Sequence, residues 1–201
     1  MKTNQIVVTS KEIGMDEALS ITEKLGNEAG LDKKSVLHLR LLAEELFGLL
    51  RGIAGGVEAN YWIEAEGKNF EIHMKSAVNM NEEMRAQFLS ASSSGKNSAS
   101  VGFMGKVRVM IADLLFSAKE VMPYAMINTV AAYSMNGAVG ETASIWTMSA
   151  YRDEIHKQAG NSKEASEAWD ELEKSIVANI ADDIKVSIAG QNVEITVYKA
   201  F

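Results

Sequence analysis

The segment that decides the fold spans residues 31–53 and reads LDKKSVLHLRLLAEELFGLLRGI. Apolar side chains recur in it every three or four residues, a spacing that places them in one stripe along an α-helix. Asp32 is positioned to cap the start of this helix, and Gly52 begins a glycine-rich run that ends it. The segment therefore predicts a long amphipathic helix with a stripe formed by Val36, Leu39, Leu42, Ala43, Leu46, Leu50 and Ile53.

Strand patterns flank this helix on both sides. Residues 5–9 (QIVVT) are β-branched and predict a short first strand. Residues 15–29 have helical spacing and predict a helix antiparallel to the long one. Residues 57–66 and 69–76 alternate between apolar and polar side chains, and Gly67-Lys68 between them suits a two-residue turn. The first part of the chain is thus predicted as strand, two helices and a β-hairpin.

The middle of the chain contains the least regular patterns. Residues 81–89 predict a short helix, residues 90–100 (SASSSGKNSAS) a loop, and the run from Phe103 another helix. Residues 121–140 carry no charge, but they contain Pro123 and several polar residues, which is atypical of a membrane-spanning helix. We interpret this uncharged run as a flexible or partly buried insertion.

The C-terminal part predicts a second hairpin preceded by a helix. Residues 144–151 (SIWTMSAY) suit either a strand or the start of a helix, and we predict a strand. Apolar residues between 165 and 180 indicate one last helix, and residues 184–198 a hairpin that turns at Gly190-Gln191. Hairpins alternating with paired helices predict an α+β fold, a two-layer sandwich. We expect five or six strands in one mostly antiparallel sheet, with the helices on one face.

Length and composition limit the functional classes. The 201 residues are expected to form one domain: a core at 1–118, an uncharged flexible insertion at 119–142, and a strand, helix and hairpin at 143–201 that complete it. A net charge of −7 argues against a nucleic-acid-binding surface, and the absence of cysteine excludes disulfides and thiolate metal sites. The first residues lack the pattern of a secretory signal, so we expect a cytoplasmic protein without a membrane segment.

Small residues before the Phe103 helix form the first candidate site. Residues 92–105 open a helix, and the free backbone N–H groups of a helix start favour anions. Lys96 and Lys106 would add positive charge there. The alternatives are a plain surface loop, or the Gly-x-x-Gly loop with which KH domains clamp single-stranded nucleic acid, matched here by Gly102 and Gly105. The three histidines have no metal-ligand spacing, so no metal site is predicted.

The second candidate lies on the long helix, where Glu44 and Glu45 fall outside the apolar stripe. Glu44 shares a side with Arg40, so an i,i+4 ion pair between them is expected. Glu45 falls on the other flank, beside Leu49. Gly48 within this helix costs about 1 kcal/mol relative to alanine, which suggests that a neighbouring element or a ligand approaches closely there.

Taken in order, these features resemble the GHKL, or Bergerat-fold, ATP-binding domain. They are a strand, a helix, a long helix with the segment AEELF at 43–47, a hairpin, a small-residue loop, and Gly102-x-x-Gly105 before a helix. The branch most similar to this chain is that of the anti-sigma-factor serine kinases, with their histidine-kinase-type ATPase module. The resemblance covers approximately residues 5–116. It implies an ATP-binding regulatory protein whose partner is a sigma factor or an anti-anti-sigma protein.

The resemblance also implies roles for individual residues. Glu45 or Glu44 would be the catalytic base, and Gly102 and Gly105 would line the phosphates beneath a lid at 90–100. The family's Mg²⁺-holding Asn should stand at position 48 or 49, where this chain has Gly and Leu. Its adenine-reading Asp is absent from residues 75–79, where Asn79 is the nucleotide-binding candidate.

These departures imply a degenerate member. It would bind ATP weakly or without Mg²⁺, with little or no phosphoryl transfer, since that chemistry depends on the metal for charge neutralisation. The alternative is a protein-interaction module that keeps the fold without nucleotide. Its insertion at 121–140 would form a partner or homodimer surface. KH-like nucleic-acid binding is the third hypothesis.

Overall fold

The computed structural model describes residues 1–51, 57–78, 82, 102–117, 144–158 and 162–201. Six strands and six helices lie within them. The strands are β1 (Ile6–Thr9), β2 (Glu58–Glu66), β3 (Asn69–Ala77), β4 (Ser144–Thr147), β5 (Asp183–Ala189) and β6 (Asn192–Ala200). The helices are α1 (Met15–Glu28), α2 (Lys33–Leu50), α3 (Phe103–Ser117), α4 (Met148–Gln158), α5 (Lys163–Lys174) and α6 (Ile176–Ile180).

All six strands form one sheet in the order β1-β2-β3-β6-β5-β4, and every neighbouring pair is antiparallel. Both predicted hairpins are present, β2–β3 turning at Gly67 and β5–β6 at Gly190. These glycines have φ of 60° and 59°, a left-handed conformation that favours glycine. The two hairpins join through β3 and β6, where Asn69 pairs with Ala200.

Alternation along the strands separates the face that packs in the helix-covered core from the opposite face, where Trp62 and His73 are also buried. In β3, Phe70, Ile72 and Met74 are buried in the core that the helices share. The opposite face carries Trp62, which stacks on His73 with the ring centroids 4.7 Å apart. The predicted α+β class and the antiparallel sheet are thereby confirmed, and a two-layer arrangement is compatible with this core.

Helix α2 lies at the centre of the core, as its apolar stripe predicts. Asp32 caps its start by accepting a hydrogen bond from the Ser35 N–H at 2.7 Å. The first six stripe residues are buried, together with Phe47 and Leu49, whereas Ile53 lies outside the described residues. Phe47 packs edge-on against Tyr61 of β2 at 5.0 Å. These contacts hold α2 against the sheet.

The strand predicted for residues 144–151 is wrong in its second half. β4 ends at Thr147, and α4 begins at Met148. Thr147 Oγ1 accepts a hydrogen bond from the Ala150 N–H at 3.3 Å, and Asp183 Oδ1 accepts one from the Ser149 N–H at 2.9 Å. Together they satisfy two first-turn N–H groups, so the chain changes from strand to helix there.

The single last helix predicted between residues 165 and 180 is also wrong. It is divided into α5 and α6 at Ser175, whose backbone is extended at φ −77° and ψ 123°. The Ser175 side chain caps α6 by accepting a hydrogen bond from the Ala178 N–H at 3.3 Å. The break turns Ile176 outward, so that it is 54% exposed although it fits the apolar spacing.

Several predictions concern residues outside those described. They are the loop at 90–100, the insertion at 119–142 with both of its boundaries, and, apart from Glu82, the helix at 81–89.

The C-terminal strands β4, β5 and β6 lie in the same sheet as β1, β2 and β3. None of the described helices has the length and apolarity needed to cross a membrane.

Candidate ligand-binding site

A largely apolar cavity lies between the end of α2, the middle of the sheet and α3. It contains about 420 Å³ of empty space, part of which is open to solvent. The enclosed part is much smaller, about 40 Å³, which is enough for a few water molecules. Ser76 and Arg108 are its polar lining residues. The apolar ones are Leu49, Leu50, Met74, Val78, Ile111, Leu115, Val193 and Ile195.

The charge in the cavity wall belongs to Arg108. Its Nη2 donates a hydrogen bond to the carbonyl oxygen of Gly48, in the last turn of α2. The carbonyl groups of a last turn lack intrahelical partners and carry the negative end of the helix dipole, which explains why a cation lies there. The Arg108 Nε is shielded from solvent and has no hydrogen-bond partner in the described part of the chain. Burial lowers the pKa of Arg108, but a guanidinium remains protonated at neutral pH.

The polar group of Ser76 is already satisfied, because its hydroxyl donates to the Glu58 carbonyl oxygen at 2.6 Å. Arg108 is therefore the lining side chain that retains an unmatched donor. A ligand of this cavity would meet almost entirely apolar surface.

Glu44 lies away from the cavity. Its Oε1 accepts a hydrogen bond from Arg40 Nε at 2.8 Å, which confirms the predicted ion pair. Arg40 also contacts Glu23 of α1 at 2.5 Å, and these two hydrogen bonds raise the pKa of Arg40. Glu44 thus belongs to an ion-pair group that joins α1 to α2.

Glu45 occupies the opposite flank of α2, one turn before the cavity residue Leu49. It is partly buried, and the described residues provide it with no hydrogen bond or ion pair. Of the two predicted catalytic glutamates, Glu45 is therefore the one that lies on the cavity side of the helix.

Gly102 and Gly105 lie at the start of α3, as predicted. The N–H groups of Gly105 and Lys106 both donate to the Gly102 carbonyl oxygen, at 2.7 and 3.3 Å, so the first turn of α3 uses them. Lys106 Nζ lies 2.7 Å from Glu171 Oε2 of α5. Because Lys106 and Arg108 are two residues apart on a helix, they lie on nearly opposite sides, and Lys106 turns away from the cavity.

The other two nucleotide-binding candidates, Asn79 and Lys96, lie outside the described residues. Arg108 is the site residue that sequence reasoning missed. The signal was present, since Arg108 lies between Val107 and Val109 in an apolar run of α3. Such a charge most often faces solvent, so its significance depends on knowing that α3 packs beside the end of α2.

The residues at this site do not fit Mg²⁺, which requires oxygen ligands. Gly48 has no side chain, Leu49 is apolar, and the adjacent charge is the positive Arg108. The described residues form no group of three or more metal-ligating side chains. The group that approaches Gly48 closely is Arg108, which contacts its carbonyl oxygen. Among the described residues, no neighbouring group lies within 4 Å of a Cβ added at Gly48.

Comparison with protein-family models, with curated proteins and with solved structures finds no match to this chain.

Proposed function

We propose that this protein is a cytoplasmic regulatory domain that binds an adenine nucleotide without carrying out efficient phosphoryl transfer. The observation that supports the proposal is the apolar cavity with Arg108 in its wall, beside the α2 flank that carries Glu45. A nucleotide would have to widen this cavity, and its base would then lie against the apolar lining. The cavity adjoins the helices that carry the motifs of the GHKL resemblance, and a Bergerat-like fold is part of the same proposal.

Weak or absent catalysis follows from the charges around the cavity. Phosphoryl transfer requires neutralisation of the phosphate oxygens, which a divalent metal usually supplies. Glu44 is held by Arg40, and Lys106 by Glu171, so neither is free to act on a nucleotide. Glu45 would be the base, but Gly48 and Leu49 stand where the metal-holding Asn is expected. The proposed role is therefore nucleotide-dependent contact with a regulatory protein of the sigma-factor or anti-anti-sigma type.

The test is thermal unfolding of the purified protein with ATP and ADP, each with Mg²⁺ and with EDTA. A nucleotide at 100 times its dissociation constant should add about 2.7 kcal/mol to the free energy of unfolding. We expect stabilisation by both nucleotides and no measurable phosphorylation of a serine-containing partner. Phosphorylation that Glu45→Gln abolishes and Glu44→Gln preserves would show an active kinase instead. The absence of any shift at millimolar nucleotide would refute nucleotide binding.

A second candidate is a protein-interaction module that uses no nucleotide. It is favoured by the two ion pairs, because Glu44 and Lys106 already have protein partners that stabilise the fold. Such a module should be insensitive to Gly102→Val, whereas a nucleotide site beside α3 should lose affinity. Substitutions between residues 122 and 135 should instead weaken partner binding or homodimerisation. A KH-like nucleic-acid binder would lose affinity steeply as salt rises.

A further inference from the structure

His73 of β3 lies on the sheet face opposite the helix-covered core, and its neighbours fix the orientation of its ring. The imidazole stacks on the Trp62 ring of β2 with the centroids 4.7 Å apart and the planes 3° from parallel. Its Nδ1 lies 3.2 Å from the Thr196 hydroxyl oxygen of β6 and 3.7 Å from Glu194 Oε1. Only 10% of the His73 side chain is exposed, so the two ring nitrogens point in defined directions.

The second ring nitrogen, Nε2, faces a carboxylate. Glu71 Oε2 lies 3.4 Å from it, and Nε2 makes no hydrogen bond in the described part of the chain. Glu71 and His73 are two positions apart in one strand, which places both on the same face of the sheet. With the ring proton on Nδ1, toward Thr196, Nε2 and the carboxylate present acceptors to each other. A cation between the two would satisfy both acceptors.

The distance between these two atoms matches one edge of a tetrahedral metal site. Zn²⁺ binds imidazole nitrogen and carboxylate oxygen at about 2.0–2.2 Å, so two such ligands lie about 3.3–3.5 Å apart around it. A histidine that binds a metal almost always donates its other N–H to a neighbouring oxygen. Thr196 and Glu194 supply such oxygens at Nδ1. His73 is therefore oriented as a metal ligand.

The charges beside Glu71 also favour a cation. Glu64 of β2 lies directly across from Glu71, and like charges in such a cross-strand pair are destabilising. Lys2 offsets Glu64, since its Nζ lies 2.7 Å from Glu64 Oε1. Within the residues that the structure describes, Glu71 forms an ion pair with His73 and with no lysine or arginine.

We infer that His73 Nε2 and the Glu71 carboxylate form a binding site for Zn²⁺. The described residues bring fewer than three ligating side chains to this point, so water completes the coordination, as in open zinc sites. Nε2 is shielded from solvent, but the Glu71 side chain is 47% exposed and can turn outward to admit the ion. The site does not depend on the proposed function, because the cavity residue Met74 belongs to the opposite face of β3.

The experiment titrates the full chain with Zn²⁺ at pH 7, followed by isothermal titration calorimetry and by nuclear magnetic resonance of the ¹⁵N-labelled imidazoles. We expect one equivalent to bind and the Nε2 resonance of His73 to shift. Mg²⁺ should have no effect, because it requires oxygen ligands. Glu71→Gln should weaken Zn²⁺ binding at least tenfold, and His73→Gln should abolish it. If His73→Gln fails to fold, Glu71→Gln still tests the site, because its side chain is half exposed.

Two control variants remove the same groups elsewhere. Glu66→Gln removes an exposed carboxylate from the end of β2, and His156→Gln removes an exposed imidazole from α4. Both should bind Zn²⁺ as tightly as the wild-type chain does.

Three results would overturn the Zn²⁺ site. They are no binding up to about 1 mM Zn²⁺, the limit of a weak interaction; binding that Glu71→Gln leaves unchanged; and binding that shifts only the resonances of His38 or His156. A proton on His73 Nε2 that Zn²⁺ does not displace would overturn it as well, because His73 and Glu71 would then be an ion pair that needs no metal.

Discussion

Replacing Gly48 by alanine is expected to stabilise the protein. Glycine within a helix is less favourable than alanine by about 0.5–1 kcal/mol, because it loses more backbone freedom on folding. Gly48 has no positive φ, and no described atom lies within 4 Å of the position that its Cβ would take. Nothing in the described part of the chain therefore opposes the gain. Since Gly48 lies in the last turn of α2, we expect about 0.5 kcal/mol.

Gly26 provides a matched comparison, because it is the third residue from the end of α1, as Gly48 is of α2. An added Cβ at Gly26 would lie 3.3 Å from Val36 Cγ2 and 3.5 Å from Leu39 Cδ2. Valine in a helix is held to one side-chain rotamer, so Val36 cannot easily move away. Crowding a packed core costs about 1–3 kcal/mol. Gly26→Ala should thus be neutral or destabilising, by up to about 2 kcal/mol.

Urea unfolding followed by far-ultraviolet circular dichroism measures both changes. The two variants should differ in midpoint while the dependence of the free energy on urea stays constant. Gly48→Ala should also leave the Arg108 hydrogen bond intact, because that bond uses the backbone carbonyl. A loss of stability in Gly48→Ala as large as in Gly26→Ala would refute this reasoning and show that another group crowds Gly48.

Two further predictions concern buried hydroxyl groups. The Thr22 hydroxyl donates to the Ala18 carbonyl oxygen at 2.6 Å, so the 2.7 Å bond between Thr22 and Tyr61 uses the Tyr61 proton. Thr22→Val should lower the free energy of unfolding by about 1–3 kcal/mol, because it leaves that proton unmatched, and Tyr61→Phe should lower it by about 1 kcal/mol. The double variant should lose less than the sum of the two, as measured by urea unfolding. Burial, and secondarily the charge of Glu171, raise the pKa of Tyr151 to about 12. The neutral phenol therefore stabilises the folded state below about pH 10. This stabilisation is lost as the pH rises toward 12. Tyr151→Phe should change stability little at pH 7 and reduce the loss between pH 7 and pH 11, whereas an unchanged alkaline loss would exclude Tyr151 as its source.

The helices and hairpins that local sequence specifies were predictable. The α2 stripe repeats within a few residues, and Asp32 lies directly before it, so the information needed for the helix is contained in the helix. The two hairpin turns were likewise recognisable, because Gly67 and Gly190 supply the positive φ that such turns require.

Predictions failed where a local pattern admitted two structures. Residues 144–151 suit a strand or a helix, and Asp183, distant in sequence, helps to fix the change after Thr147. The apolar spacing continues through Ser175, although the Ser175 side chain ends one helix and caps the next. A serine that caps a helix cannot be distinguished by spacing from one on a helix surface.

The sequence by itself determined the α2 helix, the hairpins, the α+β class and the Arg40–Glu44 pair, because each depends on residues a few positions apart or on their periodicity. Only the tertiary structure decided the pairing of β3 with β6 and the place of α3 beside α2. The cavity depends on both, since its walls come from α2, β3, α3 and β6. Arg108 becomes part of the cavity wall only in that setting, because its burial is not encoded by the residues next to it.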